Sequence, residues 1–136
     1  MKIKNSLIIN TIKAINSIEN LRGSPKSVFA LSKNLNKLKK LNDDIESARK
    51  DIWKDNFGDT QEVEKNHVNF AKFEKEFGDV LNIEVEYAPH QFLIADLDLN
   101  LNAISPYVLE SISWLIKDFD DDATKTPVGS QSLKAT

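Results

Sequence analysis

The sequence predicts a mainly α-helical protein of the α+β class. It would comprise an antiparallel helical hairpin, a short N-terminal helix, a small two-stranded β element and a C-terminal amphipathic helix. Three observations carry this expectation. Apolar residues recur at three- and four-residue spacing over most of the chain. That period gives way to alternation only between residues 83 and 101. Ser-Pro pairs and single glycines stand where helices would start and stop. With 136 residues, 40% apolar and 29% charged, the chain suits one globular domain over 1–122, followed by a flexible polar tail over 123–136.

After a weak strand signal at Met1-Lys2-Ile3, Asn5-Ser6 reads as a cap for a helix carrying Ile8, Ile12, Ile15 and Ile18, with Gly23 as its stop. Ser24-Pro25 opens the second helix, whose Val28, Leu31, Leu35, Leu38 and Ile45 follow a heptad. Asn42 and Arg49 fill its polar gaps, Ile52 resumes it, and Phe57-Gly58 ends it. Asp59 with Glu62 resembles a capping box, so the third helix is expected from there to about Leu81, with Val63, Phe70 and Phe77 spaced by seven. Two such seams joined by a short turn describe an antiparallel hairpin. Ile83, Val85 and Tyr87 then alternate with Glu84 and Glu86. A second run alternates Ala95, Leu97, Leu99 and Leu101 with Asp96, Asp98 and Asn100, and the two runs are expected to pair as strands. Ser105-Pro106 starts the last helix, which carries Val108 through Phe119 before the aspartates fray it.

The absence of cysteine excludes disulfides, thiolate nucleophiles and iron–sulfur centres. Glu64 and His67 have the spacing of one half of a di-iron motif, but its counterpart is missing, so His67 is expected to pack beside the seam. Asp96-x-Asp98-x-Asn100 lacks the glycine and glutamate of a calcium loop. The glycines are scattered singly, which leaves no phosphate-cradling loop. Neither histidine lies in an active-site motif. No catalytic residue, metal ligand or cofactor is therefore assigned, and the protein is expected not to be an enzyme.

Charge is distributed unevenly. Residues 1–54 hold 12 Lys/Arg against 5 Asp/Glu, whereas residues 55–122 hold 4 against 16. The two halves can pair internally or face different partners. On helix two, Lys26, Lys33, Lys37 and Lys40 form one basic stripe that could meet phosphates non-specifically. No aromatic side chain lies within the stripe to stack bases, which argues against sequence reading. An acidic face is formed by Glu84, Glu86, Asp96, Asp98, Asp120, Asp121 and Asp122, and it could imitate a nucleic-acid backbone. No apolar run approaches the roughly 18 residues that span a bilayer. The stretch at Leu7-Ile8-Ile9 is too short for a signal peptide, so the chain is expected to stay in the cytosol.

Three stretches carry a family resemblance: Met1-Lys2-Ile3-Lys4-Asn5 leading into the Ile-rich helix; Ser27-Val28-Phe29-Ala30-Leu31-Ser32-Lys33-Asn34-Leu35; and Phe73-Glu74-Lys75-Glu76-Phe77 through Ile83-Glu84-Val85-Glu86, followed by Ile104-Ser105-Pro106 and Ser113-Trp114-Leu115-Ile116. Over most of residues 1–119 the chain resembles a family of small phage and prophage proteins known only as a domain of unknown function. The resemblance implies a phage origin and a non-enzymatic role, and it transfers no site residues. The expected function is a phage accessory protein, a virion component or assembly factor, that binds a phage structural protein or a host factor in the host bacterial cytoplasm or the particle. Self-association, inhibition of a host defence or nucleic-acid enzyme through the acidic face, and nucleic-acid contact through the lysine stripe are the alternatives.

Overall fold

The computed structural model describes residues 1–18, 24–97 and 104–119. Of these, 65% are helical, in four α-helices and two 3₁₀ turns accompanied by a two-stranded antiparallel sheet, which is the mainly α, α+β class the sequence predicts. The elements run β1 (Lys2–Lys4), α1 (Asn5–Asn16), α2 (Pro25–Phe57), α3 (Phe70–Leu81), β2 (Glu84–Glu86), a 3₁₀ turn at Ile94–Asp96, α4 (Pro106–Ile112) and a 3₁₀ turn at Ser113–Leu115. Gly23, the second alternating run beyond Leu97, Asp120–Asp122 and the polar tail lie outside the described residues. No helix among the described residues is long and apolar enough to cross a membrane. Backbone contacts divide the chain into two compact units, one of Met1–Lys13 with Asn34–Ala88, the other of Ala14–Lys33 with the described residues from Pro89 onward.

In the first unit, β1 pairs with β2, which corrects the expected partnership of residues 83–87 with 95–101. The antiparallel register sets Lys2 opposite Glu86, Ile3 opposite Val85 and Lys4 opposite Glu84. Two physical reasons favour this pairing. Opposite charges face each other across the ladder on its exposed side, and Ile3 is buried with Val85 half-covered beside it. The rival run is rich in Leu and Asp, which are poor strand formers, and residues 94–96 turn instead of extending. Asn5 is the first residue of α1 and caps nothing with its side chain. Its Nδ2 donates to the Val80 carbonyl (2.9 Å) and its backbone N–H to that of Ile83 (2.9 Å), tying α1 to the end of α3.

At 33 residues and about 1.5 Å per residue, α2 extends about 50 Å. The Ser24 hydroxyl accepts the Ser27 N–H (3.3 Å) at its start, and Gly58, at φ 68°, ends it where expected. Leu31, Leu38 and Ile45, spaced by seven, are buried, while Leu35 and Ile52 are partly covered. The buried set also includes Asn34, whose Oδ1 accepts the Tyr87 hydroxyl at 2.8 Å.

The chain turns back at Gly58, but α3 begins at Phe70 and not at Asp59. Residues 60–69 include Thr60, Val63, Asn66, His67, Val68 and Asn69, all weak helix formers. They close turns of their own: the His67 N–H donates to the Glu64 carbonyl, and the Phe70 N–H to that of His67. Val63 and His67 therefore precede α3, while Phe70, Phe73 and Phe77 lie on it. Phe57 meets Phe70 and Trp53 meets Phe73 (ring centroids 6.2 and 5.2 Å), so contact advances along α3 as it recedes along α2. That is the antiparallel sense of a hairpin, built at its closed end from rings.

In the second unit, the Ser105 hydroxyl accepts the Val108 N–H (3.2 Å), with Pro106 opening α4 as expected. The α-helical run ends at Ile112, earlier than predicted. Ser111 and Ser113 return hydrogen bonds to the carbonyls of Tyr107 and Glu110, and Phe92 forms a parallel bridge with Ile116 that draws the chain out of helix. Leu109, Ile112, Leu115 and Ile116 are buried with Phe92 and Leu97.

Candidate functional site

The basic stripe is not a uniform face. Lys26, Lys33 and Lys40 are exposed, and the exposed Phe29 lies among them with the Lys33 ammonium 5.4 Å from its ring centroid, which corrects the expectation that the stripe holds no aromatic side chain. Lys37 is used by the fold: its ammonium donates to the Ala88 carbonyl (2.6 Å) and lies 4.7 Å from the Tyr87 ring centroid. Burial pushes the Tyr87 phenol up to about 12.

The acidic face is likewise divided. Glu84 and Glu86 are exposed but stand opposite Lys4 and Lys2, and Glu86 also pairs with the Met1 ammonium (3.4 Å). Asp96 acts in the backbone, its Oδ2 accepting the Leu93 N–H (3.1 Å) and its carbonyl oxygen accepting the Ser27 hydroxyl (2.8 Å). Asp98, Asp120, Asp121 and Asp122 lie outside the described residues.

Glu64 and His67 are both exposed. His67 accepts the Asn69 N–H at Nδ1 (3.0 Å) and stands edge-on to Phe57 (5.1 Å), but it is exposed and precedes α3, which corrects its expected place beside the helical seam. Among the described residues no three His, Asp or Glu side chains gather as a metal site would require.

The structure adds a site that the sequence reading passed over. Where α2 turns into the following segment, a cleft of about 390 Å³ is lined by Arg49, Lys50, Trp53 and Lys54 from the helix and by Gly58, Asp59, Thr60 and Gln61 from the returning chain. Trp53 is its wall. The indole N–H donates to the Thr60 carbonyl (2.6 Å), which pins the returning chain at the edge of the ring. Phe57 packs against it at 4.5 Å with a 57° tilt and Phe73 at 5.2 Å edge-on. These contacts hold the indole in one orientation.

Polar bonds brace the same corner. Asn56 is buried, and its Nδ2 donates to the Ile52 carbonyl and to Glu76 Oε1, both at 2.9 Å, while its backbone carbonyl accepts Asn69 Nδ2 (2.9 Å). The Nε of Arg49 pairs with Glu46 (3.3 Å), leaving its two terminal nitrogens for other partners. With Arg49 paired to Glu46 and Asp59 in the lining, the two exposed lysines Lys50 and Lys54 leave the cleft a small excess of positive charge beside the indole.

A signal for this site was present in the sequence. Arg49, Lys50, Trp53 and Lys54 fall on one side of a helix at 100° per residue. Arg49 reads in isolation as a polar gap in the heptad, and only the turn at Gly58 closes the cleft. No protein-family model, curated protein or solved structure matches the chain.

Proposed function

We propose that the chain is a non-enzymatic accessory protein that acts by binding another protein. A phage origin, and with it a place in the host cytoplasm or the virion, rests on the family resemblance. The observation that carries the binding reading is the exposure of large apolar side chains on regular elements. In the second unit, Tyr107 on α4 is 73% exposed and Phe29 on α2 is 60% exposed. Aromatic side chains held on helices lose little conformational entropy on docking and commonly anchor protein interfaces. The inhibitor reading through an acidic face has less support, because Glu84 and Glu86 stand opposite lysines.

The test is a paired substitution, Phe29→Ser with Tyr107→Ser, in the phage background. Exposed substitutions of this kind usually change stability by less than about 0.5 kcal/mol, so the circular dichroism and melting temperature should stay near wild type. Cross-linking to a defined phage or host protein, identified in the wild type by mass spectrometry of virions and infected cells, should be lost in the variant. Retention of that cross-link at wild-type yield, or a strict monomer without any cross-linked partner, rejects the reading.

A further inference from the structure

We propose that the cleft around Trp53 binds single-stranded nucleic acid, with one base against the indole and the backbone along Arg49, Lys50 and Lys54. This goes beyond the protein-binding reading and does not depend on it. It also uses none of Lys26, Lys33, Lys37 or Lys40.

Three features of the cleft point to this ligand. The first is chemical mixture. A polyanion alone would need only the cations, and an apolar peptide only the ring, but a nucleotide unit presents a phosphate and a flat π-face together. The second is the polar edge. Asp59, Thr60 and Gln61 line the cleft beside the ring, and their carboxylate, hydroxyl and amide can meet the exocyclic groups of a base or a sugar hydroxyl.

The third is extent. Arg49 to Lys54 covers about 7.5 Å along the helix axis, more than one phosphate occupies, while about 390 Å³ accommodates a single nucleoside. A strand passing through, with one base held, satisfies both measures. The indole orientation is already fixed by Thr60, Phe57 and Phe73, so stacking on it costs little further ordering. The formal net charge of −3 opposes any polyanion at long range, so binding rests on the local contacts of the cleft.

The test uses the full chain and a labelled oligothymidylate of about ten nucleotides, read by fluorescence anisotropy. Three phosphate contacts on a single strand predict a log–log salt slope near −2, or about a 20-fold loss of affinity between about 50 and 200 mM salt. Lys50→Gln and Lys54→Gln should each reduce that slope by about 0.7. Both lysines are exposed, and the fold is checked by circular dichroism. Trp53→Phe should weaken binding at all salt concentrations, and oligonucleotide should quench the wild-type indole fluorescence, with the quenching lost in the double lysine variant. Lys26→Gln with Lys33→Gln should leave affinity within about twofold, since loss of a phosphate contact would change the salt slope. Four results would overturn the proposal: no binding at low salt, equal affinity for a duplex of the same length, equal affinity for a mononucleotide, or equal affinity for a poly-glutamate peptide.

Discussion

Tyr87 and Asn56 show how single polar residues organise the first unit. The Tyr87 hydroxyl donates to buried Asn34, and burial raises its pKa from 10.0 to about 12. The folded state thus holds the phenolic proton more tightly than the unfolded chain. Stability from this group is fully present below about pH 10 and is lost as the pH rises towards about 12. Tyr87→Phe should flatten that alkaline loss relative to wild type in denaturant melts above about pH 9. At neutral pH it should cost about 1 kcal/mol through loss of the hydrogen bond to Asn34 Oδ1. A wild-type alkaline profile in the variant would refute the assignment. For Asn56, Asn56→Ala should cost about 2 kcal/mol, and Asn56→Asp more, because a second carboxylate would replace the donor to Glu76. Asp tolerated better than Ala would contradict that order. Neither role was legible in the sequence. An asparagine within a Lys/Asn-rich helix resembles any solvated neighbour until its partner across the fold is known.

At the scale of elements, starts and stops were legible where chemistry is local. Ser24-Pro25, Ser105-Pro106 and Gly58 act through hydrogen bonds or dihedral preferences within a few residues, and all three lie where the sequence places them. Gly58→Ala should cost about 1–2 kcal/mol from the left-handed backbone alone, since nothing lies within 4 Å of the added carbon. Gly58→Asn should cost less, as asparagine enters that region more readily, and chemical denaturation of the two variants gives the comparison. Equal losses would assign the cost to something other than φ. The start of α3 was not legible. The Asp59–Glu62 spacing imitates a capping box, but the turn is held by a bond from Trp53 to the returning chain, and local rules contain no term for it.

At the scale of the whole molecule, β1 and β2 bring together the basic beginning of the chain and its acidic middle. The charge asymmetry evident in the sequence is thus partly answered inside the fold. Lys2→Glu with Lys4→Glu would set like charges opposite each other across both outer pairs. The expected cost is about 1–2 kcal/mol, with faster amide exchange in β1, and high salt should recover part of it. Unchanged exchange would show that Ile3 and Val85 hold the ladder without help from charge. Helical class, the seven-residue spacing of Leu31, Leu38 and Ile45, the helix boundaries set by Ser-Pro and Gly, and the absence of thiol chemistry were determined by the sequence alone, because periodicity and capping are short-range. The tertiary structure alone decided that β2 pairs with β1, that Lys37 serves Tyr87 and Ala88, and that Arg49, Lys50, Trp53 and Lys54 border a cleft. Each of these joins residues far apart in the chain or needs a turn to close over a side chain, and the free energies that select among such partners do not appear in any local window.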